Sequence, residues 1–384
     1  MAEKDKPYRV YRGGRIKGPI RPLSVDGKQK APKKGAPAQP ARGSRAPRNW
    51  RRIALLVVLG LVLLAIVWTL LGYLAVRSGV KAANKRLPGS AKAALADPRH
   101  SILGGPSDLL VLGSDKGPGE GRNTGANRSD AIQLIRVDPS DHRIVYLFIP
   151  RDLRVDIPGH GTDKINAAFA YGGPALAIRT VAHLTGLPVN HVAVVDFRNF
   201  ADIVDALGGV TIDVPERILS RFDCPFPRSK CQRWKGWRFK KGEQEMDGHR
   251  ALVYARVRKN LANPHDSDIS RGRRQQQVVQ AIADKVVSPS GFLRMPFIGD
   301  DLVKPLATDL STNELLALGW VKFRTPSDNV LRCRLGGTLS SDGSAIEGTE
   351  ENVSVVAMVT GQTAPQPPPP DNPLFGPGCF VGKG

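Results

Sequence analysis

Apolar positions along this chain fall into one long uninterrupted run followed by many short ones, each closed by Gly, Pro or charge. Ile53–Val76 is 24 residues without a charged side chain. As a helix rising 1.5 Å per residue it spans ~36 Å, enough to cross a bilayer with some tilt. The next runs are far shorter. Leu109–Leu112, Ala131–Val137, Ile144–Ile149 and Leu153–Ile157 are bounded by Gly, Pro and Asp, which predicts buried strands. Lys164–Leu184 predicts a helix in two pieces around Tyr171-Gly172-Gly173-Pro174, with Pro174 in the first turn of the second piece. A strand at His191–Val195, a helix at Phe197–Leu207 stopped by Gly208-Gly209, and a strand at Val210–Val214 follow. Further helices are expected at Met246–Val257, from Asp268 onward, and at Ser311–Trp320, the last capped by Ser311 with Glu314 at its third position. Asn329–Leu335 and Val353–Met358 are expected as strands. Strands alternating with helices imply an α/β fold around a mixed sheet.

Charge divides the chain differently. Residues 1–52 hold 16 Lys/Arg against three acids, so +13 of the net +21 lies in this arm and +8 in the rest. The arm is rich in Pro, Gly, Ala and basic residues and poor in large apolar ones, so it is expected to be disordered. Because some fifty residues precede the long apolar run, a membrane anchor fits better than a cleaved signal peptide. Trp68 and Tyr73 near its C-terminal end suit an interfacial aromatic belt, and the basic arm favours a cytoplasmic N-terminus, although Arg77, Lys81, Lys85 and Arg86 follow the span. The expected layout is an arm at 1–52, a transmembrane helix at 53–76, a stalk at 77–107, an exported domain at 108–361 and a Pro/Gly-rich tail at 362–384. All four cysteines follow the span. Cys224 and Cys231, seven apart in a Pro-rich loop, are expected to form a local disulfide, leaving Cys333 with Cys379, as suits a compartment outside the cytosol. Four buried thiols in a cytosolic domain are the other reading.

The charged residues sit where strands end. Asp115, the pair Arg128 and Asp130, and Arg151 each close an apolar run, and rigid strand ends let residues distant in sequence converge. Two carboxylates and a guanidinium suit a hard cation plus a phosphate. They equally suit turns and surface ion pairs. Asp268, Arg271 and Gln275 share one helix face within ~60° at 100° per residue, with Val278, Val279, Ile282 and Val286 continuing an apolar side. Arg256, Arg258, Arg271 and Arg274 gather within nineteen residues, as a binding face or as a solvated one. Arg217–Gln244 is a basic insertion with Trp234, Trp237 and Phe239, which either stack on sugars or bases or pin the loop to the core. There is no phosphate loop, no HExxH, no nucleophile elbow, and the scattered histidines lack metal spacing.

LLVLGSD, RSDAIQLIRVDP, LFIPRD, KINAAFAYGG, ALGGV, ALVYARVR and D-x-x-R-x-x-R-Q from Asp268 to Gln275 occur in an order that resembles the LytR-CpsA-Psr family of cell-wall glycopolymer transferases. The resemblance is strongest over 108–287. It departs in the long glycine-rich loop between Asp115 and Arg128, in Phe148 where the family often has serine, and in the cysteine-bearing insertion. The resemblance implies a three-layer-like α/β domain around a mixed sheet, on a single N-terminal transmembrane helix. It also implies transfer of a glycopolymer or linkage unit from a polyprenyl-pyrophosphate donor to a peptidoglycan acceptor through a phosphodiester. Magnesium or manganese on Asp115 and Asp130 is implied, with Arg128, Arg151, Arg256, Arg258, Arg271 and Gln275 on the pyrophosphate. Arg151, Arg256 and Arg258 would thereby be catalytic, with Asp268 as a base. An apolar pocket between sheet and helices would take the prenyl chain. A membrane-bound regulator and a noncatalytic wall-binding protein are the competing readings. No specific nucleic-acid partner is expected, because the arm lacks aromatics or a folded motif.

Overall fold

The computed structural model describes residues 49–114, 129–222, 224–263, 268–372 and 375–382. Most of the expected disordered arm, Asp115, Arg128 and the glycine-rich loop between them lie outside these residues.

In chain order the elements are α1 (Trp50–Arg86), α2 (Gly89–Ala93), β1 (Ser107–Ser114), β2 (Ser129–Asp138), β3 (Arg143–Phe148), β4 (Leu153–Ile157), β5 (Gly161–Lys164), α3 (Ile165–Thr185), β6 (His191–Asp196), α4 (Phe197–Ala206) and β7 (Val210–Val214). Then come β8 (Ile218–Ser220), α5 (Arg228–Cys231), β9 (Trp237–Phe239), β10 (Gly242–Met246), α6 (Gly248–Arg256), α7 (Asp268–Val286) and α8 (Pro289–Val303). The remainder is β11 (Leu306–Thr308), α9 (Thr312–Arg324), β12 (Val330–Arg334), β13 (Gly337–Leu339), β14 (Ile346–Gly348), α10 (Glu351–Thr360) and β15 (Gly378–Val381).

Seven described strands form the main sheet, in the order β11-β6-β1-β2-β3-β12-β15. It is mixed, as expected: β1 runs parallel to β6 and β3 parallel to β12, while β1–β2 and β2–β3 are antiparallel. Alternation along each strand buries both faces. Leu110, Leu112, Ile132, Leu134 and Leu147 pack with α3 and α10 on one side. Leu109, Ile135 and Tyr146 pack with α7 and α9 on the other. At the entry of β1, Asp108 pairs across the sheet with Arg136 at 2.6 Å and donates its backbone amide to Asn190 Oδ1 at 3.0 Å, so β1, β2 and the approach to β6 are clamped together. Burial pushes the Asp108 carboxyl up to about 6, outweighing the pull of Arg136.

Several expected elements change at their ends. The helix predicted at Met246–Val257 starts only at Gly248, because Met246 is spent as the last residue of β10, opposite Val210, and Asp247 caps the helix by accepting from Arg250 N at 2.7 Å. Val353–Met358, expected as a strand from its β-branched residues, is helical. There Val355, Met358 and Val359 bury at helical spacing, and Gly361 ends the helix with φ 80°. The two-piece helix is α3, broken at Gly172 and at Gly173, whose φ of 61° only glycine adopts cheaply. The capping box at Ser311 and Glu314 forms, and its helix runs on to Arg324. Both disulfides, Cys224–Cys231 and Cys333–Cys379, are present, the second joining directly opposed residues of β12 and β15.

The stretch expected as a stalk does not stand clear of the domain. α1 continues unbroken to Arg86; Val76, Val80 and Ala83 bury against Ile203, Leu207, Leu302 and Val303, and Leu87 and Ala91 join the main core. Small residues make this docking possible. A Cβ on Gly79 would meet Asp300 O at 2.7 Å, and one on Gly299 would meet Val76 Cγ2 at 2.9 Å, so α1 and α8 approach almost backbone to backbone. Before Gly72, α1 is exposed and apolar, long enough to cross a membrane by length and composition.

Candidate active site

Three strands, one helix start and one helix end meet at one edge of the main sheet. β1 and β2 pair with Gly113 opposite Ala131 and Ser114 opposite Ser129, and the register slips between these pairs. Asp130 therefore sits in the bulge; its side chain, and Asp115, lie outside the described residues. β3 ends beside β2: Ile149 N bonds to Ile132 O at 3.0 Å, two residues before Arg151. Arg151 is half-buried, with its Nε on Asp152 Oδ2 at 3.2 Å; Lys164 holds the other Asp152 oxygen at 3.7 Å, and Asn166 N bonds to Arg151 O.

α7 closes over this edge at a glycine. A Cβ on Gly272 would fall 2.1 Å from Phe148 Cζ, so the helix backbone rests on the ring of the last β3 residue. Arg271, adjacent to that contact, is buried, and Gln275 one turn on is half-buried. The side chain of Asp268, at the first position of α7, lies outside the described residues. Arg274 is buried too and donates to Val257 O at 2.7 Å, which ties α7 to the end of α6 between the exposed Arg256 and Arg258. From the far side β12 adds Arg334, aligned with Phe148. Burial, and then the nearby Arg273, pull the Arg334 guanidinium down to about 10, so it stays charged at neutral pH. An anion beside it would relieve both effects.

Behind this charged edge lies a cavity of about 850 Å³ between the second face of the sheet and helices α7, α8 and α9. Gly113, Ala131, Gln133, Phe148 and Gln275 mark its inner end; Val279, Ile282, Val286, Met295 and Leu318 are among the apolar walls. Of the polar side chains lining that end, Gln133 Nε2 and Gln275 Oε1 are buried without a hydrogen-bond partner. Orphaned buried polar atoms at the head of an apolar tunnel suit a ligand with a long apolar tail and a polar head.

Asp115 and the side chain of Asp130, the carboxylates expected to hold magnesium or manganese, lie outside the described residues; the Ser129 hydroxyl at the bulge is buried without a hydrogen-bond partner. Oxygen donors of this type are those that a hard cation takes. Among the described residues no group of three or more His, Cys, Asp or Glu gathers, Asp115 being outside them.

Gln133, Ser129 and Arg334 are residues that the sequence did not point to, and Arg274 stands there only as one of the clustered arginines. Gln133 carried a signal, as a polar residue between the apolar Ile132 and Leu134. The aromatic insertion resolves differently. Phe239 is buried on Tyr254, and Trp237 packs on Trp234 and His249 while donating to Phe222 O at 3.0 Å, so these rings pin the loop to the domain.

The family model described as LytR_cpsA_psr matches residues 74–360. The polyisoprenyl-teichoic acid–peptidoglycan teichoic acid transferase TagT of Bacillus subtilis is 35% identical over 230 residues, which are 60% of this chain and 67% of that protein. The crystal structure of B. subtilis TagV superposes with a TM-score of 0.55 at 27% identity, covering 67% of this chain and 96% of that one. The family protein YwtF (TagT) with bound octaprenyl pyrophosphate lipid matches at a TM-score of 0.50 and 27% identity, over 69% of this chain and 92% of that one.

Proposed function

This chain belongs to the LytR_cpsA_psr family, and we propose that it is a membrane-anchored phosphotransferase that moves a glycopolymer or linkage unit from a polyprenyl-pyrophosphate carrier onto peptidoglycan. The cavity carries this reading. Its apolar walls and polar head match a prenyl chain ending in pyrophosphate, the class of ligand bound in the related YwtF structure. A noncatalytic wall-binding protein has no use for such a tunnel.

A sugar hydroxyl of peptidoglycan attacks the glycan-bearing phosphorus. The new P–O bond forms as the bond to polyprenyl phosphate breaks, so polyprenyl phosphate leaves and the glycan ends in a phosphodiester. The hydroxyl proton passes to a base, for which Asp268 is the candidate at the start of α7. Phosphoryl transfer demands little covalent work from a protein, so positioning and charge neutralisation dominate. Arg128, Arg151, Arg256, Arg258 and Arg271 supply planar donors to the pyrophosphate oxygens, and Gln275 an amide. Asp152 and Lys164 orient Arg151, and Arg274 steadies the segment carrying Arg256 and Arg258. Magnesium or manganese, held by Asp115 and Asp130, would neutralise pyrophosphate charge when bound. The domain lies outside the cell with the N-terminal arm in the cytoplasm, a topology that the two disulfides favour.

The test is to incubate the full chain in detergent micelles with a short-prenyl pyrophosphate-linked glycan and peptidoglycan oligomers, and to read products by mass. A peptidoglycan adduct of one glycan phosphate per polyprenyl phosphate released is expected. Release of inorganic phosphate or polyprenyl pyrophosphate without an adduct would overturn the reaction.

A further inference from the structure

The same helices that wall the cavity also expose an apolar surface on the outside of the domain. α8 leaves Phe292, Leu293 and Phe297 largely in the open, and α9 does the same with Leu316, Trp320 and Phe323. On α9 the three lie within ~60° of one another at 100° per residue, so they form one face. Phe297 is 73% exposed and Phe323 65%. Scattered apolar residues on a surface need no explanation, but a contiguous patch does. Phe292, Leu316, Trp320 and Phe323 also line the cavity, so the patch is the rim of its mouth.

Its position relative to α1 says what covers it. Trp68 meets Phe297 edge to face with ring centroids 5.6 Å apart, and Gly72 faces Met295. If Ile53–Val76 crosses the bilayer, Trp68 lies eight residues inside the outer end, ~12 Å at 1.5 Å per residue. A span shortened to the ~20 residues that a bilayer core requires still leaves Trp68 some 6 Å inside. Phe297 is at the same depth, because it touches Trp68. The close seam of Gly79, Gly299 and Val76 packs α8 against α1, so the domain has no slack to lift away. The rim chemistry agrees: Arg324 lies 5.8 Å over the Trp320 ring, and Lys322 and Arg294 share these helices. Aromatic rings with cations beside them are the composition of a membrane–water interface.

We propose that α8 and α9 are seated in the outer leaflet of the bilayer, so that the mouth of the cavity opens into lipid and the prenyl chain enters sideways without crossing water. The proposal rests on the membrane anchor and deepens the prenyl-donor reading. It makes the domain a monotopic body hugging the membrane rather than a head on a stalk, and it commits the patch to lipid rather than to a second copy of the chain.

All four cysteines are in disulfides, so single added cysteines can be spin-labelled in the full chain. Leu63→Cys reports on the span, Phe297→Cys and Phe323→Cys on the patch, and Leu339→Cys on an exposed apolar residue outside it. In vesicles of phosphatidylglycerol and phosphatidylethanolamine, collision of the label with oxygen is compared with collision with a water-soluble nickel chelate. The labels at 63, 297 and 323 are expected to favour oxygen over nickel several-fold more than the label at 339. Nickel access at 297 and 323 equal to that at 339, with 63 still shielded, overturns the seating and leaves the anchor intact. Nickel access at 63 removes the anchor and the proposal with it. Spin–spin broadening at 297 or 323 that grows with protein density identifies a second copy on the patch, and also overturns the proposal. None of these readings depends on catalytic turnover.

Discussion

Replacing Gly272 by alanine sets two effects of known sign against each other. Inside a helix the change is worth about 1 kcal/mol of propensity in favour of alanine. Against it stands the Phe148 ring, whose Cζ and Cε1 would lie 2.1 and 2.4 Å from the new methyl group. Overpacking of this kind costs about 1–3 kcal/mol. The net destabilisation expected is therefore small, roughly 0–2 kcal/mol. The ring lines the cavity head with Gln133 and Gln275, so a displaced ring is expected to intrude there. Activity and prenyl-pyrophosphate binding should thus fall far more than stability. Phe148→Ala removes the obstacle, and in that background Gly272→Ala should stabilise by about 1 kcal/mol, giving a coupling of about 1–3 kcal/mol between the two sites. Thermal unfolding of the full chain in detergent reads this as a few degrees, since ~1 kcal/mol moves Tm by about 2–4 °C at this size. If Gly272→Ala shifts Tm equally in both backgrounds, the contact between α7 and β3 is not what holds Arg271 and Gln275 over the strand ends.

Four further outcomes are expected. Arg151→Lys and Arg256→Lys keep charge but lose the planar fork, and each should lower turnover tenfold or more, about 1.4 kcal/mol; unchanged rates would return both to the solvated surface. Asp115→Asn and Asp130→Asn should each cripple metal-dependent transfer, and the double variant should be little worse than either single one; full activity in excess chelator would refute a shared metal site. Opening Cys333–Cys379, which closes a loop of 46 residues, should cost about 4 kcal/mol by loop entropy, and opening Cys224–Cys231, with a separation of seven, about 2, as denaturant midpoints of the Cys→Ala variants would show. Asp108 binds its proton more tightly folded than unfolded, so its contribution to stability is present below pH 4 and is lost as pH rises through about 6. Asp108→Asn should flatten that part of the stability profile, and an unaltered slope would show that the buried carboxyl does not titrate there.

Local pattern determined much of this protein. The charge-free stretch Ile53–Val76, the strands of the main sheet up to Ile149, the glycine break in α3 and the capping box at Ser311 all follow from periodicity and backbone preferences that act over a few residues. The charged residues at the strand ends were legible in the same way, as breaks in apolar runs. Pattern failed where two local preferences competed. Val353–Met358 carries β-branched residues and a helical burial period at once, and packing against β12 and β15 decided for the helix. Met246 belongs to a strand because Val210 lies opposite it, a partner 36 positions away in the numbering. Tertiary structure alone placed Gln133 and Gln275 at the head of a cavity, brought Arg274 to the carbonyl of Val257, and turned the expected stalk into a docked helix. A cavity is the space left between packed elements, and a docking seam depends on which small residues face each other; neither is a property of any one stretch of chain. For the same reason only the fold shows that six apolar residues of α8 and α9 are left largely exposed together.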